Sequence, residues 1–328
     1  MSSFALVTFK DEHREKDDRA VFFRYMAARL KDFFKRPVLE DNISKIELYE
    51  GLDVYIIRLP YCLSEIDRHK ARLNRFLSGF AADNDIKYCF LPKDTPDGVQ
   101  LDACMKFAST GKLLYKSALT LILDEIYTKR NIVVSELDIC IVEGESRTEL
   151  YGVIDLLAPF VKYITIVAKD REAVEEEMNR VYDDTGLCVR VTEEYRSCLK
   201  NADIIINLGG LENIPANAKI NPRAIILNYG SSELNKHSCE NIILNGFIIN
   251  IKKNMPHIIT EDVLKAYDAT GLMEVILFFR AGMEDKLINE YIDGETAKGV
   301  SEAFLKCGCS IKEFYGRRNK IKPKDIAI

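Results

Sequence analysis

A polar turn at residues 143–149 carries the side chains most suited to binding a phosphate. It reads Glu143-Gly144-Glu145-Ser146-Arg147-Thr148-Glu149 and follows the apolar run Cys140-Ile141-Val142. Ser146, Arg147 and Thr148 supply hydrogen-bond donors, and a glycine lets a ligand approach the backbone closely. A turn of this kind between a strand and a helix is typical of sites where a helix N-terminus binds a phosphate.

The same turn departs from the glycine fingerprint of dinucleotide-binding proteins. That fingerprint, G-x-G-x-x-G, needs three glycines; with Gly144 as the first, Ser146 and Glu149 occupy the other two positions. Glu143 and Glu145 flank the turn and would oppose an anionic ligand. Two interpretations stay open: a working dinucleotide site, and a scaffold of the same fold in which dinucleotide binding is weak or absent.

A second polar group, Lys169-Asp170-Arg171, follows the next apolar run. In dinucleotide-binding domains an acidic residue at this place binds the adenosine ribose, whereas a basic residue accepts a 2′-phosphate. Asp170 therefore favours NAD, and Lys169 and Arg171 favour NADP. A solvated helix N-terminus is the alternative explanation. The predicted cofactor is NAD or NADP.

Small and amide residues end two later apolar runs and are expected at the rim of the same pocket. Ligands of doubly wound sheets bind at the carboxyl ends of the strands. Asn207, Gly209 and Gly210 lie at the end of one run, and Asn228 at the end of the next. The predicted cofactor-binding residues are therefore Gly144, Ser146, Arg147, Thr148, Lys169, Asp170, Arg171, Asn207, Gly209, Gly210 and Asn228.

Lys93 and Asp97 are the candidates for general acid–base catalysis. They lie in the stretch Lys93-Asp94-Thr95-Pro96-Asp97-Gly98, which is rich in residues that interrupt helices and strands. A lysine and an aspartate there can exchange protons with a substrate, or they can simply solvate a turn. No metal site is predicted, because Cys307-Gly308-Cys309 lacks a second ligand pair and the histidines are far apart in sequence.

Regular alternation of apolar runs and helical patterns from residue 137 onward would position these residues. The runs are continuously apolar, which is typical of parallel strands buried on both faces. The predicted fold is α/β, with a doubly wound, parallel-sheet Rossmann-like domain. Its predicted strands are Asp138–Val142, Tyr163–Ala168, Cys188–Val191, Ile204–Leu208 and Ala224–Asn228, and its predicted helices are Thr148–Leu157, Arg171–Tyr182 and Glu194–Lys200.

A smaller α/β domain is predicted to precede the Rossmann-like domain. Its order is strand, helix, strand, strand, helix, strand, a βαββαβ pattern like that of ferredoxin-like domains. The predicted strands are Phe4–Phe9, Ile43–Tyr49, Val54–Leu59 and Ile86–Leu91, and the predicted helices are Asp18–Lys35 and a helix from Ser64 to about Asn84.

Three further elements are predicted outside these two series. The stretch Leu101–Tyr127 has a mostly helical pattern interrupted at Gly111. Asn241–Leu244 and Phe247–Ile251 would form a further strand or a hairpin around Asn245-Gly246, and Glu261–Arg280 would form one long apolar helix. The predicted divisions are an N-terminal domain at 1–99, connecting helices at 100–131, the Rossmann-like domain at 132–260, and C-terminal helices with a basic tail at 261–328.

Three segments resemble shikimate dehydrogenase and its amino-acid-dehydrogenase-like relatives: Tyr163–Val174, Ala202–Asn207 and Asp268–Met273. The resemblance implies a substrate domain before the cofactor domain, with the active site in the cleft between them. Leu277 stands where the family has a substrate-binding glutamine, and the family's Asn-Val-Thr-x-Pro-x-Lys stretch is absent. The nearest equivalent is Leu91-Pro92-Lys93, so shikimate itself is not the expected substrate.

Composition limits the class of protein. The 328 residues include 46 Lys and Arg against 51 Asp and Glu, a net charge of −5, which argues against general binding of nucleic acid or anionic membranes. Nine cysteines without a dense framework, and an N-terminus that does not resemble a signal peptide, favour reduced thiols in a cytoplasmic protein. The expected partner is a small-molecule ligand, and a homodimer stays open.

The function predicted from these features is that of an NAD(P)-dependent oxidoreductase-like protein acting on a small molecule at the interdomain cleft. Two alternatives remain. One is a non-catalytic ligand-binding or assembly protein that keeps the Rossmann scaffold. The other, which the residues favour less, is an S-adenosylmethionine-dependent methyltransferase that uses Gly144 and Asp170.

Overall fold

The structure is a computed structural model that describes residues 2–10, 42–49, 51–96, 99–127, 132–213, 218–230, 241–250, 260–289, 292–316, 320–323 and 326. The chain divides into two compact units. The first unit comprises Met1–Ala108 and Lys253–Leu272, and the second comprises Ser109–Lys252 and Met273–Ile328.

The elements are labelled in chain order. Up to residue 127 they are β1 Ser2–Thr8, β2 Ile43–Tyr49, β3 Leu52–Arg58, α1 Ile66–Asp83, β4 Tyr88–Leu91, β5 Met105–Lys106, α2 Lys112–Ser117 and α3 Leu119–Tyr127. From residue 139 to residue 250 they are β6 Ile139–Val142, α4 Arg147–Leu157, β7 Tyr163–Val167, α5 Arg171–Thr185, β8 Cys188–Thr192, α6 Tyr195–Asn201, β9 Ile204–Asn207, β10 Ile225–Asn228, β11 Ile242–Leu244 and β12 Phe247–Asn250. The last are α7 Glu261–Tyr267, α8 Ala269–Ala281, α9 Glu284–Asn289, α10 Gly294–Lys306, β13 Ser310–Tyr315 and β14 Lys320–Ile321.

The first unit contains a five-stranded sheet in the order β2-β3-β1-β4-β5. β1 runs parallel to both of its neighbours, β3 and β4, and only β2 is antiparallel to its partner β3. The strands β1 to β4 and helix α1 occur in the predicted chain order, and the predicted helix 18–35 lies outside the described residues. The sheet is mixed, so it lacks the alternating strand directions of a ferredoxin-like sheet.

The second unit is a doubly wound, Rossmann-like α/β structure, as predicted. Its six-stranded sheet has the order β11-β10-β9-β6-β7-β8, and every neighbouring pair is parallel. The chain moves outward from β6 to β8, crosses back, and moves outward again from β9 to β11. Numbered from β6, this is the strand order 3-2-1-4-5-6 of dinucleotide-binding domains. Its switch point lies between β6 and β9.

Burial explains why the strands of this sheet read as continuous apolar runs. All residues of β6, β9 and β10 are buried, because helices cover both faces of a parallel sheet. The helices begin at capping side chains: Ser146 caps α4, Asp170 caps α5 and Glu194 caps α6, each accepting a hydrogen bond from a backbone N–H of the first turn. The predicted elements of this unit are confirmed to within a few residues at each end.

The two runs around Asn245-Gly246 are strands, as predicted, but the alternative that they pair as a hairpin is wrong. β11 is the edge strand of the six-stranded sheet, whereas β12 pairs antiparallel with β13 in a separate sheet of order β12-β13-β14. The backbone of Asn245 and Gly246 hydrogen-bonds instead to Tyr315. The region predicted as a basic tail therefore supplies two strands, which the charge pattern alone did not indicate.

Two predicted helices are shorter than expected. Residues 101–110 form turns and the short strand β5, and helix begins only after Gly111, whose φ of +81° favours glycine. The apolar stretch 261–280 is two helices, because Asp268 adopts a φ of +45° and its carboxylate accepts a hydrogen bond from the N–H of Gly271. Asp268 thus ends α7 and caps α8.

The described helices bear on two points: whether any helix could cross a membrane, and whether helix α8 needs a second copy of the chain to cover it. None of them combines the length and apolar composition that crossing a membrane requires. The apolar residues of α8 from Leu272 to Phe279 are buried within the single chain, so this stretch needs no second copy to cover it. Formation of a homodimer remains a prediction.

Candidate functional site

Main-chain atoms of two loops pack directly on each other at the switch point of the six-stranded sheet. A Cβ atom on Gly144, in the loop after β6, would lie 1.9 Å from the carbonyl oxygen of Leu208, which follows β9. A Cβ atom on Gly210 would lie 2.0 Å from the carbonyl oxygen of Glu143. The two glycines are therefore required by this packing, independently of any ligand.

The start of helix α4 presents its positive end at this switch point. Ser146 caps the helix, because its Oγ accepts a hydrogen bond from the N–H of Glu149 at 3.3 Å. Arg147 and Thr148 follow in the first turn, and both side chains are exposed. The aligned peptide dipoles give this end a partial positive charge, which suits an anionic group.

Glu143 is hydrogen-bonded to the loop after β7. It is only 7% exposed, and its carboxylate accepts a hydrogen bond from the backbone N–H of Lys169 at 3.0 Å. Its other oxygen lies 4.0 Å from Nε of Arg147. The predicted repulsion between Glu143 and a phosphate is therefore reduced, because this carboxylate already has a donor and a cation beside it. Glu145 is exposed.

Arg147 joins the loops after β6 and β7. Its guanidinium donates to the carboxylate of Asp170 at 3.0 Å, and both side chains are about half exposed. Asp170 uses its other oxygen to cap α5 by accepting from the N–H of Ala173. An exposed ion pair of this kind contributes about 1 kcal/mol or less. A ligand that binds Arg147 can therefore displace Asp170 at small cost.

The two basic residues beside Asp170 differ in their availability. Arg171 donates two hydrogen bonds to Glu175, one turn along α5, at 3.0 and 3.1 Å. This pairing raises the pKa of Arg171 and lowers the pKa of Glu175. Lys169 is exposed at the sheet edge. Of the two, Lys169 is the better placed to receive a phosphate.

Glu149, which occupies the third glycine position of the incomplete fingerprint, has a structural role. Its carboxylate pairs with Nζ of Lys116 at 2.5 Å, and each side chain is about one quarter exposed. The two residues and Ser146 line a cavity of about 120 Å³ beside α4. Pockets for drug-sized ligands are usually at least about 300 Å³. This cavity cannot hold a dinucleotide, so a dinucleotide would lie outside it.

Three asparagines form a ladder across the carboxyl ends of β9, β10 and β11. Asn207 donates to the Asn228 side-chain oxygen at 2.8 Å, and Asn228 donates to the Asn245 side-chain oxygen at 2.9 Å. The oxygen of Asn207 accepts from the N–H groups of Gly209 and Leu211, both at 3.0 Å. Asn207 and Asn228 were predicted to bind a cofactor; both amides take part in holding the loops after these strands.

Replacement of Asn207 by leucine should lower the free energy of unfolding by about 3 kcal/mol, because the N–H groups of Gly209 and Leu211 lose their acceptor. Asn207→Asp should cost less, because it keeps an acceptor for both groups, and rotation of the Asn228 and Asn245 amides together would let Asn228 donate to the new carboxylate and Asn245 donate to Asn228. Urea denaturation of the three proteins measures the difference. Equal stability of Asn207→Leu and the parent would contradict the role assigned to the ladder.

Tyr229 follows the ladder and carries a buried hydroxyl. Among the described residues this hydroxyl has no hydrogen-bond partner. Its ring packs edge-on against Tyr115, with the ring centroids 4.8 Å apart. Burial, and then the negative charge of Glu149, raise the pKa of Tyr229 well above its ordinary value. Tyr229 therefore stays protonated and can donate a hydrogen bond to a water or a ligand atom.

The predicted acid–base pair belongs to the first unit. Lys93 is exposed, and its backbone N–H donates to the carbonyl of Ala266 at 3.4 Å. Asp97 lies outside the described residues, so its part in the pair stays a prediction. Within the described ranges, no group of three or more His, Cys, Asp and Glu side chains could hold a metal ion.

Comparisons with known proteins give fold-level likenesses only. No protein-family model and no curated protein sequence matches the chain. Among solved structures, the chain is similar to lysine cyclodeaminase at 13% identity over 38% of this chain and 36% of that one, with a TM-score of 0.25. It is similar to 5-ketofructose reductase of Gluconobacter sp. at 13% identity, covering 93% and 99% of the two chains, with a TM-score of 0.32. It is also similar to the anabolic ornithine carbamoyltransferase of Campylobacter jejuni at 9% identity, covering 93% and 86%, with a TM-score of 0.32.

These likenesses carry no argument about function, because the scores are low and the three proteins have different names and reactions. The chain spans little more than a third of the lysine cyclodeaminase. The Rossmann-like character of the second unit rests instead on its own strand order and parallel pairing.

Sequence reasoning missed several residues that organise this part of the molecule. The hydrogen bond from Lys169 to Glu143 and the ion pair of Lys116 with Glu149 join residues that are distant in sequence. Asn245 completes the ladder from the turn after β11. Glu274 was detectable in principle, since a single acidic residue inside the apolar run 272–279 is typical of a buried, hydrogen-bonded carboxylate.

Proposed function

We propose that the second unit binds an NAD(P) dinucleotide at the switch point and that the protein is an oxidoreductase acting on a small molecule. The observation that carries this proposal is the start of α4. There a capped helix N-terminus and Arg147 lie at the crevice between β6 and β9, while the neighbouring Glu143 is turned towards Lys169. This arrangement favours an anionic group at the place where the fold accommodates one.

The residues present fit a dinucleotide in charge and in backbone geometry. Arg147 and the first turn of α4, with Thr148, would hold the diphosphate. Gly209, where an added Cβ would meet only the Cα of Gly144 at 3.8 Å, leaves the backbone after β9 open to a ligand. Lys169 would accept the 2′-phosphate of NADP, which favours NADP over NAD. Asp170 would bind a ribose hydroxyl once it is released from Arg147. A nicotinamide cofactor supplies hydride transfer when it is bound.

The substrate-binding part of the proposal rests on the sequence. Lys93 and Asp97 are retained as the candidate acid–base pair, and the resemblance to shikimate dehydrogenase-like proteins supports a small-molecule substrate. A reaction of the carbonyl–alcohol or imine–amine type would need a group that donates and removes a proton, which a lysine or aspartate can do.

One observation favours a second candidate function, a non-catalytic ligand-binding or assembly protein. The ion pairs of Arg147 with Glu143 and Asp170 span the loops after β6 and β7, where the adenosine half of a dinucleotide would lie. If this cluster persists in solution, it blocks the cofactor. A titration decides between the two candidates.

Calorimetric titration of the full chain with NADP, NAD and S-adenosylmethionine tests the proposal. We expect NADP to bind, Arg147→Met to weaken it about tenfold, equivalent to about 1.4 kcal/mol, and Lys169→Met to weaken NADP but not NAD. Arg180→Met is the matched control, because Arg180 lies on α5, also paired with glutamates. Asp170→Asn should strengthen NADP binding, because it removes the carboxylate that pairs with Arg147 and keeps an oxygen that can accept from a ribose hydroxyl.

The outcomes are distinguishable. Binding of no nucleotide at millimolar concentration would remove the oxidoreductase proposal and support the non-catalytic candidate. Binding of S-adenosylmethionine alone would support the methyltransferase alternative. Equal losses for Arg147→Met and Arg180→Met would show that general charge, rather than the α4 site, controls the affinity.

A further inference from the structure

Two cysteines of the first unit lie side by side, Cys89 on strand β4 and Cys104 directly before strand β5. Sγ of Cys104 lies 2.9 Å from Sγ of Cys89, and both are free thiols. A disulfide bond is about 2.05 Å long, so the two sulfur atoms need to move less than about 1 Å to bond. The pair plays no part in the proposed cofactor site, which belongs to the second unit.

The sheet register holds the two cysteines together. β4 and β5 pair in parallel, with Phe90 opposite Met105 and Leu91 opposite Lys106. One step earlier in the same register, Cys89 faces Cys104. Neighbouring strands lie about 4.8 Å apart, which is within the range of Cα separations that a disulfide bridges, about 4.4–6.8 Å. The spacing of the two strands is therefore compatible with a disulfide between these positions.

A second set of hydrogen bonds holds the segment before Cys104 in place. The side chain of Asn74 on α1 donates to the carboxylate of Asp102 at 2.8 Å, and the N–H of Asp102 donates to the side-chain oxygen of Asn74 at 3.1 Å. The N–H of Cys104 donates to the carbonyl of Leu101 at 2.8 Å. The cysteine is thus positioned both by β5 and by helix α1.

The two thiols differ in their access to solvent. Cys89 is 4% exposed within the core of the first unit, whereas Cys104 is half-buried and lies next to the exposed residues Met105 and Lys106. The hydrogen bond with Cys104, and then burial, raise the pKa of Cys89. Cys104 is therefore the thiol that a reagent from solution reaches first, and Cys89 is the resolving partner.

We propose that Cys89 and Cys104 form a reversible intramolecular disulfide by exchange with a low-molecular-weight disulfide such as oxidised glutathione. The Cys104 thiolate attacks one sulfur of the reagent, and one glutathione thiolate leaves. The Cys89 thiol then gives its proton to solvent base and attacks Sγ of Cys104, which expels the second glutathione. The protein loses two hydrogen atoms in total, and one molecule of oxidised glutathione becomes two of the thiol.

The bond would join the two ends of the chain segment between β4 and β5, which contains Lys93. Cys188 is exposed, and the Sγ–Sγ contact that the structure describes is the one between Cys89 and Cys104. Oxidation of Cys188 should therefore stop at a mixed disulfide with glutathione, whereas oxidation of Cys104 should continue to the internal bond. This difference gives the test an internal reference.

Incubation of the full chain in glutathione buffers of increasing oxidised fraction, followed by acid quenching, alkylation and peptide mass spectrometry, tests the proposal. We expect a cross-linked peptide pair containing Cys89 and Cys104, two hydrogens lighter than the reduced pair, that disappears on return to reduced buffer. In Cys89→Ala, Cys104 should instead accumulate as a mixed disulfide with glutathione. Cys188→Ser is the matched control and should leave the cross-link unchanged.

A wild-type protein in which Cys104 accumulates as a mixed disulfide while Cys89 stays alkylatable would overturn the proposal, as would two thiols that stay reduced across the series. If Cys89→Ala does not fold, Cys104→Ser serves instead, and in it Cys89 should resist both oxidation and glutathionylation. The oxidised wild type should also show a higher urea midpoint than the reduced form, whereas the urea midpoint of Cys104→Ser should not increase on oxidation.

Discussion

Replacement of Gly144 by alanine should lower the free energy of unfolding by about 3 kcal/mol. The added Cβ would lie 1.9 Å from the carbonyl oxygen and 2.7 Å from the carbonyl carbon of Leu208. These are main-chain atoms, and the N–H of Leu208 donates to the carbonyl of Val142 at 3.0 Å within the sheet. No side-chain rotation relieves the contact, so the loops after β6 and β9 must separate.

The matched control is Gly299→Ala in helix α10 of the same unit. A Cβ there would contact Ala281 and Met283 at an ordinary 3.7 Å. Alanine favours helix over glycine by about 1 kcal/mol, so this variant should be as stable as the parent or slightly more stable. Urea denaturation measures both. A Gly144→Ala protein as stable as Gly299→Ala would show that the two loops are not packed as described.

This result bears on how the cofactor proposal is tested. A bulky residue at Gly144 would abolish binding by disrupting the loop after β6, whether or not a dinucleotide binds there. Substitutions at Arg147 and Lys169 change exposed side chains instead, so they test the ligand with little effect on the fold. Loss of binding in those variants can then be attributed to lost contacts with the phosphates.

Replacement of Glu274 by alanine should also lower the free energy of unfolding by about 3 kcal/mol. Glu274 lies on α8 and is 1% exposed. Its carboxylate accepts hydrogen bonds from Oγ of Ser109 at 2.7 Å and from the N–H of Leu114 at 2.8 Å, and so holds the start of helix α2. Without it, buried donors lose their acceptor and a cavity is left. Glu302→Ala, an exposed change on α10, is the control and should alter stability little.

The pH dependence of the same site has a definite sign. Burial raises the pKa of Glu274 above its ordinary value, against the hydrogen bonds that lower it. The folded protein therefore holds this proton more tightly than the unfolded chain. Its contribution to stability is complete below the unfolded pKa of about 4.5, and it is lost as the pH rises through the folded pKa.

The variant Glu274→Gln isolates this contribution, because glutamine does not titrate in this range. The stability of the parent minus that of Glu274→Gln should decrease as the pH rises from about 4.5. Urea denaturation of both proteins at a series of pH values measures the difference. A difference that increases with pH would show that the hydrogen bonds to the carboxylate outweigh its burial.

Local pattern predicted most of the second unit. Continuous apolar runs indicated strands buried on both faces, and capping residues such as Ser146 and Asp170 marked the starts of α4 and α5. The break at Asp268 was not predicted, because an aspartate in a left-handed conformation leaves no signature in the apolar spacing of 261–280. The strands predicted around Asn245-Gly246 are present, but the hairpin alternative was wrong, because a turn does not specify the sheet that each flanking strand joins.

The candidate site divides in the same way. Gly144, Arg147, Asp170 and Lys169 could be selected from residue type and spacing alone, because strands and helices that alternate place the ends of parallel strands at one edge. The hydrogen-bond partners of these side chains could not be predicted. Glu143 accepts a hydrogen bond from the backbone of Lys169, and Arg147 donates one to Asp170. Both bonds depend on which loops meet, and that depends on the order of the strands.

The amino-acid sequence by itself determined the α/β class, the succession of strands and helices in the second unit, and the absence of a complete glycine fingerprint, since these depend on neighbouring residues and their periodicity. Only the tertiary structure decided that Gly144 and Gly210 are required by loop packing, that Asn207 and Asn228 form a ladder with Asn245, and that Cys89 faces Cys104. Each of these depends on sheet register, which brings together residues that are distant along the chain.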